Sequence, residues 1–103
     1  MSEQQLTAQA SKTVVNCESQ VDIGIVVELH EYLKQALSEG QALEIDASQV
    51  ERIDTSVLQL FHAYIREAGR QGLAVSWSGA SEAVHAAARL LGLQQALRLP
   101  EVV

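Results

Sequence analysis

Little in this chain can staple, break or span. Its 103 residues include one cysteine, Cys17, and one proline, Pro100. A lone cysteine closes no internal disulfide, so a thiol-stapled secreted scaffold is excluded and a reducing compartment is expected. No run approaches the roughly 20 apolar residues of a membrane helix, and direct membrane insertion is not expected. Met1 to Lys12 is polar, without the apolar run of a signal peptide. Cationic residues are scarce as well. Seven Lys and Arg face 13 Asp and Glu, for a formal net charge of -6. Such a chain repels phosphate and anionic lipid, and it has no basic stripe to offset that. Nucleic acid is therefore excluded as a partner. The partners to expect are proteins, and the location to expect is cytoplasmic.

What is present is a core. Hydrophobic residues make up 48% of the chain. A domain of this size buries about 60–70% of its unfolded surface, so it should fold without metal or disulfides. The sequence contains no internal repeat and no low-complexity linker.

Short β-branched or alternating runs trade places with helical patterns. Thr13-Val14-Val15-Asn16-Cys17 reads as a strand, and Ser19 to Asp22 as a turn. Ile25, Leu29, Tyr32, Leu33, Ala36 and Leu37 follow at helical spacing, with Gly40 as the stop. Leu43-Glu44-Ile45-Asp46 reads as a second strand. Val57, Leu58, Leu60, Phe61, Tyr64, Ile65 and Ala68 line one side of a second helix, ended by Gly69 and Gly72. Leu73 to Trp77 reads as a third strand and Ser78-Gly79 as a turn. Ser81-Glu82 then starts a third helix that stops at Gly92, with Leu93 as its closing apolar contact. Leu97 and Leu99 should cap the core. Alternation of this kind predicts an α/β domain with a mixed, mostly parallel sheet of about four to five strands and helices packed on it. The domain should span 13–99. Residues 1–12 are expected to be flexible or an edge strand, and 100–103 a tail.

In such sheets the functional loops leave the carboxyl ends of strands. That places Asp46 and the run Asp54-Thr55-Ser56 on a candidate working edge. One reading of these residues is capping, since Asp, Thr and Ser satisfy free N–H groups at a helix start, each worth about 1 kcal/mol. A second reading uses the same physics. A hydroxyl at a helix N-terminus sits where an anion is favoured. A phosphate there would add about -1.5 to -2 charge units, which Asp46 and Asp54 would oppose. That is a switch at a binding surface.

The pattern resembles the STAS domain family, named for sulfate transporters and anti-sigma factor antagonists. The resemblance runs from about Thr13 to Leu97. It rests on Asp46, on Ile53-Asp54-Thr55-Ser56-x-Leu58, on Leu73 to Trp77, and on Ala88-Arg89-Leu90-Leu91-Gly92-Leu93. In anti-sigma factor antagonists the turn is Asp-Ser-Ser-Gly-Leu, and a partner kinase phosphorylates the second Ser. The resemblance implies Ser56 as phosphoacceptor and Thr55 as its neighbour in the first hydroxyl position. In the STAS subunit of a bacterial phospholipid ABC transporter the Thr after the Asp matters, which here is Thr55. Val57 stands where the family keeps a small residue, and its β-branched bulk is expected to crowd the approach to Ser56.

The resemblance therefore implies a non-enzymatic, protein-binding regulatory module without cofactor or metal. Its partner-facing residues would be Asp46, Asp54, Thr55, Ser56, Val57, Gln59, His62, Ala63 and Arg66. The partner would be an anti-sigma-type serine kinase, a chemotaxis or two-component signalling kinase, or a transporter ATPase on which the chain sits constitutively. The family also includes domains that bind nucleotides or lipids, although the residues here show no dedicated pocket chemistry. His30, His62 and His85 lack metal-ligand spacing. Ser56 has no G-x-S-x-G elbow that would make it a nucleophile.

Overall fold

The computed structural model describes residues 5–8 and 12–100. The order along the chain is β1 (Gln5–Ala8), β2 (Lys12–Asn16), β3 (Gln20–Val21), a 3-10 turn (Ile23–Ile25), α1 (Val26–Ser38), β4 (Ala42–Ala47), β5 (Arg52–Ile53), α2 (Thr55–Arg70), β6 (Val75–Ala80), α3 (Glu82–Leu91) and α4 (Gln94–Leu97). Four strands form one sheet in the order β1-β2-β4-β6. β1 runs antiparallel to β2, while β2, β4 and β6 are mutually parallel. The expected mixed, mostly parallel sheet is present. Residues 1–4, 9–11 and 101–103 lie outside the described residues, so the ends of the expected N-terminal segment and the tail beyond Pro100 do too.

The sheet has a dry face and a wet one. In β4, Leu43, Ile45 and Ala47 are buried and alternate with half-buried Ala42, Glu44 and Asp46, the two-residue period of a strand covered on one side. Those three side chains join Leu29 and Leu33 of α1, Leu58, Phe61 and Ile65 of α2, Val84 and Ala88 of α3, and Leu97 of α4 in one core. The other face is mixed, with buried Val14 beside Glu44 in the register. Lys12 reaches across it to Glu44, with Nζ 2.6 Å from Oε1, and exposed Ser76 lies beside Glu44 on β6.

Trp77 ties the end of the chain to the sheet. Its ring meets Phe61 edge-on with centroids 5.7 Å apart, and its Nε1–H donates to the Leu97 carbonyl at 2.8 Å. The half-buried indole thus meets its polar need while α4 is held on the core. Helix α3 ends as the sequence indicates. Gly92 takes φ 69°, and the Leu93 N–H reaches the Ala88 carbonyl at 2.9 Å, a Schellman ending in which only glycine is unstrained.

Two sequence expectations are corrected. Ser19 to Asp22 is more than a turn: Gln20–Val21 pairs in parallel with Arg52–Ile53 as a separate two-stranded ladder. Ser78-Gly79 is no turn at all. Both residues belong to β6, where the register against β4 passes from Ile45↔Trp77 to Asp46↔Gly79 and leaves Ser78 as the extra residue of a bulge. Turn-forming residues inside a strand carry the same sequence signal as a loop.

Candidate functional site

The site is built where β4 and β5 end and α2 begins. β5 is short, and its partner β3 holds the chain that follows it: the Asp54 N–H donates to the Val21 carbonyl at 2.8 Å. This fixes Asp54 in extended conformation, φ -71° and ψ 138°, as the cap of α2. Its Oδ1 accepts the backbone N–H of Ser56 at 2.8 Å and the Ser56 hydroxyl at 2.6 Å. The Ser56 hydroxyl, and then its N–H, hold the Asp54 carboxyl below its ordinary value, because both stabilise the charged form. Ser56 is half-buried and engaged, whereas Thr55 is exposed at the first position of the helix.

A second turn of the same design closes β4. Asp46 Oδ1 accepts from the Ser48 N–H at 3.0 Å and from the Ser48 hydroxyl at 2.7 Å. Gly79 on the bulged β6 packs against this turn. A Cβ at Gly79 would lie 2.9 Å from Ser48 Cβ and 3.6 Å from Asp46 Oδ1. Close backbone approach is the reason for glycine here. In the sequence Gly79 reads as half of a turn, and neither it nor Ser48 carries a role at the site. The Asp-x-Ser spacing, shared by 46–48 and 54–56, was the available signal.

A third cap lies alongside. Asp22 accepts from the Gly24 N–H at 2.9 Å and starts the 3-10 turn that leads into α1. With Arg52, Asp54 and Thr55 it lines a polar cleft of about 450 Å³. Two helix starts, each capped by an Asp, therefore open on one cleft. Exposed Ile23 and Val27 stand just past Asp22, at 63% and 76% exposure.

The remaining sequence candidates separate by face. Gln59, Ala63 and Arg66 are exposed along α2 and His62 is half-buried. Val57 does not join them. Its side chain is 0% exposed in the core, so its place among the partner-facing residues is corrected, and its bulk points away from the approach to Ser56. A residue at the third helical position after the cap faces inward here because Leu58 and Phe61 share that side. Asp46 bonds to Ser48 and, among the described residues, makes no hydrogen bond to the Asp54 turn. Cys17 is buried, and burial followed by the Asp46 charge pushes its thiol up to about 12. No helix among the described residues is long and apolar enough to cross a membrane.

A four-stranded sheet covered on one face by helices, with capped turns at its carboxyl edge, defines a small α/β domain. The chain belongs to the STAS domain family: the family model described as "Mlab, STAS domain" matches residues 5–101. Two solved structures share the fold. One is an anti-sigma factor antagonist from Mycobacterium paratuberculosis, 20% identical, with a TM-score of 0.77 over 97% of this chain and 86% of that one. The other is the anti-sigma factor antagonist SpoIIAA in its unphosphorylated form, 17% identical, with a TM-score of 0.76 over 89% of this chain and 83% of that one. No curated protein matches the chain in sequence.

Proposed function

We propose that this protein is a cytoplasmic, non-enzymatic regulatory module that docks on a protein partner through the Asp54-Thr55-Ser56 turn and the exposed side of α2. Phosphorylation of that turn by a partner serine kinase weakens or redirects docking. The observation that carries the reading is the arrangement of the two hydroxyls. Ser56 is held by the Asp54 carboxylate, and Thr55 stands exposed beside it at the head of a helix whose outer side bears Gln59, Ala63 and Arg66. A phosphate on either hydroxyl changes the charge of the surface that a partner meets. On Ser56 it also displaces the proton donor of Asp54. The likeness in fold to two anti-sigma factor antagonists supports the same class of partner.

The reading is tested by pull-down from native lysate with mass spectrometry of bait and prey, followed by partner affinity for four variants. Ser56→Asp and Thr55→Asp should bind more weakly than wild type, while Ser56→Ala and Thr55→Ala report which hydroxyl is used. Wild-type affinity in all four would reject the switch.

A second reading is favoured by the exposure of Thr55. In it the chain is a constitutive subunit seated on a transporter ATPase, with Thr55 as a direct contact and no phosphate. Capture of an ATPase, with Thr55→Ala alone weakening it and no phosphate on the bait, would select this reading over the first.

A further inference from the structure

Among the described residues three large apolar side chains stand exposed: Ile23, Val27 and Leu90. Leu90 is the one on α3, and a single exposed leucine needs no explanation. Ile23 and Val27 form a pair. They lie four residues apart on the turns that open α1, a spacing that puts two side chains on one side of a helix. Neither belongs to the core or packs against it. Their exposure is not that of a frayed end. The Asp22 carboxylate accepts the Gly24 N–H at 2.9 Å, the Asp22 carbonyl accepts the Ile25 N–H at 3.2 Å, and Ile25 between the two is buried. The pair is therefore held outward on a fixed element.

Its surroundings carry one sign of charge. Asp22 precedes the pair and Glu28 follows Val27 directly. The β3–β5 ladder brings Glu18 and Glu51 to the same edge, since the Glu51 N–H donates to the Ser19 carbonyl at 2.8 Å. The cleft beside Asp22 is lined by Arg52, Asp54 and Thr55 as well. Residues 18–28 and 51–55 thus hold five acids, Glu18, Asp22, Glu28, Glu51 and Asp54, against one base, Arg52. An apolar centre with a charged rim is the anatomy of a protein interface, and the sign of the rim selects the partner.

We infer that the docking surface at Asp54-Thr55-Ser56 extends across the cleft to Ile23 and Val27, and that the partner covers it with a segment whose apolar side chains are flanked by lysine or arginine. The inference rests on the docking reading and adds the chemistry of the occupant. Ile23 and Val27 supply the anchor that holds the complex once formed, and the acids speed the encounter. A second copy of this chain is a poor occupant, because its own rim would set acid against acid.

The test places the photo-crosslinker p-benzoylphenylalanine at Ile23, Val27, Gln59 or Leu90 of the whole chain and irradiates each in native lysate. The protein crosslinked from Gln59 should also be crosslinked from Ile23 and Val27 and not from Leu90. The attachment points should map to a segment in which apolar residues are flanked by lysine or arginine. With that protein purified, the double variant Ile23→Ser, Val27→Ser should bind about tenfold more weakly, the scale of interface anchors, chiefly through faster dissociation. It should melt as wild type does, because both side chains are exposed. Glu18→Lys with Glu51→Lys should slow association and flatten its dependence on salt. Crosslinks from Gln59 to a protein that Ile23 and Val27 do not reach overturn the inference and leave the docking reading standing. Wild-type affinity in the Ile23, Val27 double variant overturns it as well, as does a crosslinked segment that is acidic or uncharged. Crosslinking to a second copy of the chain overturns it and assigns the pair to self-association. Silence from Ile23, Val27 and Gln59 alike rejects the docking reading, and this inference with it.

Discussion

The carboxylate of Asp54 holds both polar groups of Ser56, the N–H at 2.8 Å and the hydroxyl at 2.6 Å from the same oxygen. One side chain thus caps α2 and restrains a candidate phosphoacceptor. Its titration carries a sign. A carboxyl whose folded value lies below its ordinary 3.8 stabilises the fold above that value and ceases to do so as pH falls through the depressed one. Asp54→Ala should therefore melt below wild type at pH 7. The gap should narrow as pH drops below 3.8, when wild type loses its charged cap. Thermal melts of both proteins from pH 7 to pH 2.5 check this, and a gap that widens in acid would contradict it.

The two hydroxyls should respond differently to a carboxylate. At Thr55 the side chain is exposed in the first turn of α2, where a negative charge is worth about 0.3–1 kcal/mol. Thr55→Asp should be neutral to slightly stabilising. At Ser56 an aspartate removes the donor to Asp54 and places a second charge beside it. Ser56→Asp should then be less stable than Ser56→Ala, by about 1 kcal/mol, and added salt should recover part of the difference. Urea unfolding at low and high salt measures both. If Ser56→Asp equals Ser56→Ala, the repulsion is absent.

Gly79 was read as half of a turn and is instead the contact between the β6 bulge and the Asp46-Ser48 turn. A Cβ there would stand 2.9 Å from Ser48 Cβ, so something must move. Gly79→Ala should destabilise by about 1–3 kcal/mol, the range for overpacking. Ser48→Gly in the same chain should restore much of the loss, because it removes the atom that is struck. A double-mutant cycle with additive effects would mean that the clash is relieved elsewhere.

The legibility of this protein in its sequence follows from the range of the forces involved. Helices α1, α2 and α3 each carry a repeating apolar face and a local stop, and Gly40, Gly72 and Gly92 do take positive φ. Capping is equally local, so Asp54 and Ser81 could be recognised as helix starts. The β3–β5 ladder could not. It joins residues more than thirty apart through two-residue strands, too short for a period to be visible. The inward turn of Val57 was legible, since Val57 opens the apolar side that Leu58, Phe61 and Ile65 continue. Its placing among the partner-facing residues came from the resemblance to the family's turn and ran against that periodicity.

Trp77 offers a probe of the last helix. Its Nε1–H donates to the Leu97 carbonyl at 2.8 Å, and the chain contains no other tryptophan. Trp77→Phe keeps a ring against Phe61 and deletes the donor. The loss should be about 1 kcal/mol from the hydrogen bond, with more from the smaller ring. Amide exchange should quicken in Gln94–Leu97 ahead of α2. Uniform acceleration through both helices would mean that α4 is not a separately tethered element.

Cys17 gives the converse of Asp54, at the alkaline end. Burial, and then the Asp46 charge, raise its thiol from 9.0 to about 12. The native state therefore keeps the neutral form, while the unfolded chain ionises from 9.0 upward. A raised value of this kind contributes stability that is whole below pH 9.0 and is lost as pH climbs toward 12. Cys17→Ala should lose some stability at pH 7 from the smaller side chain, yet its stability should fall less steeply than wild type above pH 9. Tyr64, also raised by burial, is common to both proteins, so the difference between them isolates the thiol. The same chemistry governs reactivity, since the thiolate is the attacking form. A disulfide reagent at pH 8 should label Cys17 only as fast as the protein opens, and labelling should accelerate in step with urea. Stoichiometric labelling of the folded protein within seconds would place the thiol at the surface and contradict its burial.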